Sequence, residues 1–225
     1  MSFVVGLIVA MLLGKGVYSF SDAAKYTGLR SARVREWFGS IRSDRVFLSD
    51  FGNETQQKLI SFNDLIEVFI AGQMRERGAS LKAIRNSHEI LSHKWHTKHP
   101  FCRREVCVHQ GRVLYLNLQD DDRAEVLDVL SAQRLFSDVI LPFLKRLDYD
   151  QATKAATLWH IADGVELNPQ ICFGKPIASV SKKPTYLLSA AYLANGRNED
   201  AVARWYGVPT DDVKAAVAFE ASMSA

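Results

Sequence analysis

Three arginines, Arg30, Arg33 and Arg35, fall close together in "SFSDAAKYTGLRSARVREWF" (19–38), and their planar guanidinium groups suit one chemistry in particular. A guanidinium grips phosphate through parallel hydrogen bonds and takes the same bidentate hold on the major-groove edge of guanine. Placed on the first turns of a helix, such side chains read DNA. Lys25, Arg42 and Arg45 extend the positive run, so that six bases stand against the acids Asp22, Glu36 and Asp44 over 19–45, a local charge of +3.

A second group, "HEILSHKWHTKHPFCRREVC", gathers His88, His93, His96, His99, Cys102 and Cys107. His93, His96 and His99 at successive i+3 steps could share a helix face, but the chain must break before Pro100 and no CxxC pair accompanies them, so the reading is a solvated helix end and not a metal site. No nucleophile elbow, P-loop, dinucleotide fingerprint or H-E-x-x-H motif is present, and Asp120 to Asp122 read as a helix start. The chain is therefore expected to be no enzyme, with no catalytic residue, no metal and no cofactor.

The elements that must position the arginines are legible. Ser19 and Asp22 form a capping box that opens a short helix with Ala23, Ala24 and Tyr26; Gly28 ends it. Ser31 is placed to cap a second helix, whose Val34, Trp37 and Phe38 share one face. The turn-rich "VFLSDFGNETQQKLISF" (46–62) reads as a hairpin, or wing. Ser61 and Asp64 make another capping box before the periodic Phe62, Leu65, Ile66, Phe69, Ile70 and Met74, and Ser80 caps a further helix. "CRREVCVHQGRVLYLNL" (102–118) alternates about Gln110-Gly111, as a second hairpin does. Residues 119–150 are expected to be a helical connector, kinked at Pro142, and "ELNPQICFGKPIASVSKKPTY" an ordered loop with short extended pieces before helices return over 185–222.

The helix–glycine–helix pattern occurs twice. In "EDAVARWYGVPTDDVKAAV" (199–217), Ala203, Gly207, Val208, Thr210 and Val213 stand where the first copy has Ala24, Gly28, Leu29, Ser31 and Val34. The small residue lets the helices cross, the glycine takes positive φ, and the valine seals the core between them. The charge inverts: over 196–220 three bases meet five acids. With Asp211 and Asp212 where the first copy carries bases, the second pair suits a protein surface better than a polyanion.

Bulk properties set bounds. The chain has 225 residues, 24% of them charged, and a net charge of +3, so nucleic-acid affinity must come from a local patch. Three cysteines, Cys102, Cys107 and Cys172, fit reduced thiols in a cytoplasm. The apolar stretch Phe3 to Leu13 is too short to span a bilayer and lacks a signal peptide's basic start; it reads as a packed segment, a membrane anchor, or sequence ahead of a true start at Met11.

Residues 14–118, with the helix pair, the wing and "SFNDLIEVFIAGQMRERGASLKAIR", resemble the MerR-like winged helix. Residues 167–220 resemble a small antitoxin domain known as a domain of unknown function, through Asn168-Pro169, Gly174-Lys175-Pro176, Pro184-Thr185, Gly196, Tyr206-Gly207 and Ala216 to Glu220; "SVSKKPT" lacks that pattern's usual glycine. Together they resemble the larger VapB-type antitoxins that accompany PIN-like ribonuclease toxins. The resemblance implies a mainly α fold with small β-hairpins: a winged helix-turn-helix over 1–118, a connector over 119–150, and a helix-turn-helix-like antitoxin or dimerisation domain over 151–225. It implies operator DNA, a cognate toxin and a second copy as partners. DNA would be met by Ser19, Lys25, Arg30, Ser31, Arg33, Val34, Arg35, Arg42 and Arg45. Toxin or dimer contacts would come from Phe173, Lys175, Pro176, Tyr186, Tyr192, Trp205, Tyr206, Asp211, Asp212 and Phe219. The alternatives are a stand-alone MerR-like regulator with a ligand-sensing C-terminal part, and a dimerisation protein that binds no DNA.

Overall fold

The computed structural model describes residues 13–39, 45–52, 59–76, 78–109, 112–117, 125–128, 134–135 and 146–224. The chain divides into two compact units, Tyr18–Ala156 and Met1–Val17 with Thr157–Ala225. Both are mainly helical with small antiparallel sheets.

In the first unit, β1 (Tyr18–Ser19) leads into α1 (Phe20–Thr27). The capping box forms as its residue types dictate: the Asp22 N–H donates to the Ser19 hydroxyl at 3.0 Å, and the Ser19 N–H donates to the Asp22 carboxylate at 2.9 Å. Gly28 closes the helix at φ +70° with open space around its Cα, so conformation alone calls for glycine there. α2 (Ser31–Trp37) follows, burying Val34 and Trp37. Its N-cap is Arg30, with no side-chain bond, so Ser31 is the first helical residue and not the expected cap. Leu29 rests over Gly72 of α3 (Phe62–Glu76), where a Cβ would come within 3.2 Å of the leucine, and this seats the helix pair on α3.

The expected wing over 46–62 differs. Residues 45–52 form no strand; the Trp37 carbonyl takes the N–H groups of Val46 and Phe47, at 2.9 and 3.0 Å. At the far end, β2 (Leu59–Ile60) pairs with β1, Tyr18 opposite Ile60, because Ile60 gains full burial there. Residues 53–58 lie outside the described set. The second capping box is present, with Asp64 N–H on Ser61 Oγ at 3.1 Å and Ser61 N–H on Asp64 Oδ2 at 2.9 Å. α4 (Leu81–Trp95) opens at Ser80, whose hydroxyl accepts the Ala83 N–H. The core of this unit includes Trp37, Phe62, Leu65, Ile66, Ile84 and Leu91, and full burial of each such side chain contributes roughly 1.5–3 kcal/mol.

A short 3-10 turn, Pro100–Cys102, leads into β3 (Val106–His109), which pairs antiparallel with β4 (Arg112–Asn117), His109 opposite Arg112; Gln110 and Gly111 of the expected turn lie outside the described residues. The helical connector over 119–150 is not what the described residues form. β5 (Glu125–Asp128) adds to β4, with Leu116 opposite Val126, β6 (Arg134–Leu135) adds to β5, and β7 (Leu147–Tyr149) is also extended. Asp120 to Asp122 and Pro142 lie outside the described residues.

In the second unit, β8 (Ala156–Ala162), β9 (Val165–Leu167) and β10 (Pro176–Ala178) form consecutive antiparallel neighbours. β10 and most of β9 are short extended pieces of the kind expected within the ordered loop that begins at Glu166. α5 (Thr185–Ala194), α6 (Glu199–Tyr206) and α7 (Thr210–Ser224) match the expected helical return. Ala178, Leu188, Val202, Ala203, Val208, Val213 and Ala216 make the core they share with β10. Lys182 takes the left-handed conformation at φ +57° where "SVSKKPT" lacks a glycine. Hydrogen bonds between Ala178 and the 182–183 backbone, and from Ser181 N–H to the Asp212 carboxylate at 2.7 Å, hold that turn. Residues 13–17 belong here too, through Val17 N–H on the Phe173 carbonyl at 2.9 Å and Gln170 Nε2 on the Gly14 carbonyl at 3.2 Å.

Candidate nucleic-acid interface

Burial of Val34 and Trp37 fixes which face α2 turns outward. Arg30, Arg33 and Arg35 are exposed, as are Ser31 and Lys25. At 3.6 residues per turn, Arg33 and Arg35 project from α2 about 160° apart, on the two flanks of the outward face. Ala32 and Glu36 lie on the outward arc between them. Glu36 is exposed on the same helix and opposes an anion. Val34 is fully buried, so its expected DNA contact is corrected: a side chain that seals the helix pair cannot also reach a base. The Ser19 hydroxyl accepts the Asp22 N–H and donates to the Asp22 carboxylate, which commits it to the cap. Arg42 lies outside the described residues. Arg45 is half-buried and lines a cleft of about 450 Å³ with Arg85, Lys98, Glu89 and the exposed Leu48.

The second helix pair repeats the first in detail. Ala203 is 7% exposed and Ala24 8%, Val213 and Val34 are both fully buried, and Gly207 has φ +61° against +70° for Gly28. The electrostatic contrast is smaller than the composition implies. Asp211 is exposed, 3.4 Å from Lys214, but Asp212 is buried and holds the Ser181 N–H.

Of the residues expected at a protein interface, Trp205 is 75% exposed, Tyr186 52% and Phe173 50%. Lys175 is exposed with its ammonium 5.3 Å from the Tyr186 ring centre, a cation–π contact. Tyr192 and Tyr206 are half-buried against the core. Three expectations are corrected. Pro176 is buried in β10 opposite Leu167, Phe219 is buried on α7, and Asp212 serves the turn just described.

A cluster that sequence reasoning divided comes together in the first unit. Asp64 and Glu67, i and i+3 on α3, are both 1% exposed, and around them gather Asp50, His88, His99 and Cys102. Asp64 Oδ2 accepts the N–H groups of Ser61 and Asp50 at 2.9 and 3.0 Å. Glu67 Oε1 accepts the Phe101 N–H at 2.8 Å. His99 Nε2 lies 3.0 Å from Asp50 Oδ1. Burial pushes the Asp64 carboxyl up and the Cys102 thiol well up. Burial acts to lower the His99 imidazole, but its bond to Asp50 and the charges of Glu67, Asp50 and Asp64 outweigh that and raise it. His93 and His96 take no part: α4 ends at Trp95, His96 turns left-handed at φ +50°, and both are exposed. The signal for the cluster was present in the sequence as acids on the apolar face of a helix, at positions otherwise filled by Leu and Ile.

These geometries can be set beside known proteins. Residues 165–219 match DUF433, a family described as a protein of unknown function. The matched span runs from β9 through most of α7. No curated protein matches the chain. Among solved structures, that of Rv2018 from Mycobacterium tuberculosis is similar over 89% of this chain and 96% of that one, with a TM-score of 0.64 and 17% identity, a likeness that shows the fold alone. No helix among the described residues is long and apolar enough to cross a membrane.

Proposed function

We propose that this chain is the antitoxin of a toxin–antitoxin pair. Its first unit acts as a MerR-like helix-turn-helix that binds operator DNA and represses its own operon, and its second unit binds and neutralises a PIN-like ribonuclease toxin in the cytoplasm. The observation that carries the reading is the sorting of α2: Val34 and Trp37 inward, Arg30, Arg33 and Arg35 outward beside a glycine turn. A helix this short reads few bases, so operator binding as a homodimer on a palindrome supplies the specificity. Neutralisation is binding, and the exposed Trp205, Tyr186 and Phe173 in the DUF433-like unit are of the type that anchors protein interfaces.

Two measurements test the reading. Binding of the chain to DNA from upstream of its own gene should weaken steeply with salt, as phosphate contacts release counterions. Induction of the adjacent open reading frame should arrest growth, and co-expression of this chain should relieve the arrest. Salt-dependent operator binding with a harmless neighbour would replace the antitoxin by a stand-alone regulator, and no DNA affinity at all would leave a dimerisation protein.

A further inference from the structure

The cleft of about 450 Å³ beside Arg45 lies wholly within the first unit, and neither the outward arginines of α2 nor the exposed aromatic surface uses it. Its walls are held in place by the protein itself. On one side the Trp37 carbonyl takes the N–H groups of Val46 and Phe47, at 2.9 and 3.0 Å, and Val46 is buried. On the other stands α4, anchored by the buried Ile84 and Leu91 and by His88, whose imidazole is 2.7 Å from Glu67. A concave site of this volume with fixed walls has the dimensions of a small-molecule pocket.

The lining selects the ligand. Arg45 comes from the stretch after α2, Arg85 from α4 and Lys98 from the segment that follows it, so three cations converge from three places in the chain. Against them stands one carboxylate, Glu89, which leaves a lining charge of +2 with His88 and His93 counted as neutral. A guanidinium has five N–H donors, enough for Arg45 and Arg85 to serve an anion alongside other partners. The Thr97 hydroxyl accepts the His99 N–H at 3.2 Å and keeps its own proton to donate into the cleft. Guanidinium, ammonium and hydroxyl donors around one concavity are the groups that hold phosphate. A phosphate monoester carries about −1.5 to −2 at neutral pH, which balances this lining where a single carboxylate would not. Two features go beyond what phosphate alone requires. Leu48 is 63% exposed beside the buried Val46, an apolar wall, and Glu89 is an acceptor for hydroxyl protons. A sugar or nucleoside body offers both an apolar face and hydroxyls, whereas the phosphates of a duplex are singly charged diesters on a chain without free hydroxyls.

We propose that this cleft binds one small phosphate monoester of a sugar or nucleoside. Arg45, Arg85 and Lys98 hold the phosphate, Thr97 donates to it, Leu48 covers the body of the ligand and Glu89 takes its hydroxyl protons. The site stands independently of the antitoxin reading.

The test is calorimetric titration of the full chain with AMP, ribose 5-phosphate and inorganic phosphate, with adenosine and ribose as uncharged controls. AMP or ribose 5-phosphate should bind at one per chain and at least tenfold tighter than inorganic phosphate, the tighter of the two telling a nucleoside body from a sugar, while the controls should not bind. Arg45→Gln/Lys98→Gln should weaken the ester at least tenfold, and Lys98→Gln alone, at an exposed position, at least threefold with the thermal midpoint of the free chain unchanged. Arg33→Ala/Arg35→Ala should leave ester binding as it is. Failure of both esters to bind, controls that bind equally well, affinity no better than that of inorganic phosphate (an adventitious ion only), binding that survives loss of Arg45 and Lys98, or binding lost with Arg33 and Arg35 would each overturn the assignment. Displacement of the ester by a short DNA duplex, undiminished in Arg33→Ala/Arg35→Ala, would give the cleft to the DNA backbone instead.

Discussion

His88 Nε2 lies 2.7 Å from Glu67 Oε2, joining α4 to α3 across the interior of the first unit. The imidazole also stands edge-on to the rings of Phe47 and Phe101, with centroids 5.3 and 5.1 Å away. His88→Ala should strand a buried carboxylate oxygen and open a void between two phenylalanines, at a cost of about 2–4 kcal/mol in urea denaturation. His88→Gln, which keeps a donor, should recover part of the loss.

Arg33→Ala with Arg35→Ala should weaken operator binding more than tenfold and lower the slope of log affinity against log salt by about 2, one unit per lost phosphate contact. Both side chains are exposed, so circular dichroism and thermal midpoint should not move. Val34→Ala reverses the pattern. Its buried methyl groups contribute about 2 kcal/mol of stability, and its effect on DNA affinity should follow only from lost folding.

Trp205→Ala should remove at least tenfold in affinity for the neutralised toxin or the second copy, while changing the stability of the free chain by less than about 0.5 kcal/mol. Pull-down by tagged toxin and sedimentation velocity tell the two partners apart. Phe219→Ala, by contrast, should destabilise the second unit, because that ring is buried.

Gly28→Ala and Gly207→Ala meet no atom within 4 Å, so each should cost only the left-handed strain of an alanine, about 1–2 kcal/mol, with asparagine costing less. Two equal losses in chemical denaturation would confirm that the turns ask for a conformation and not for space.

The Tyr18 phenol is pushed up from its ordinary value near 10, first by burial and then by Tyr26 and Asp22. The folded chain thus keeps a proton that the unfolded chain releases, so the stability this phenol contributes is intact below its unfolded pKa and declines as pH rises beyond it. The slope should approach about 1.4 kcal/mol per pH unit between about pH 10 and 11, and Tyr18→Phe should flatten it.

The helix pair, both capping boxes and the antiparallel pairing of β3 with β4 were legible because each rests on local chemistry: a side chain three residues from the N–H it serves, or alternation in two runs close together in sequence. The wing and the connector were misjudged because strand partners are chosen at long range. Nothing near Leu59 announces Tyr18 as its neighbour, and nothing near Glu125 announces β4. The outward placement expected of Arg30, Arg33 and Arg35 is observed and that of Val34 is not, since charge needs only exposure whereas an apolar residue needs its surroundings. At the interface Asp212 failed for the same reason: its partner, the Ser181 N–H, lies 31 positions away. The ionisable cluster was split between a histidine-rich helix end and an acidic helix face, and only the Pro100–Cys102 turn brings them together.

The twofold occurrence of the helix–glycine–helix pair has a consequence for how such chains diversify. Each copy is specified by a handful of positions, an alanine, a glycine with its apolar follower and a valine, all turned inward or toward backbone conformation. The exposed positions around them are not constrained by that packing. A duplicated cassette of this kind can have its outer surface rewritten, from net positive in one copy to net negative in the other, without renegotiating how its helices cross. A single scaffold thereby carries a net positive stretch of sequence in one copy and a net negative one in the other.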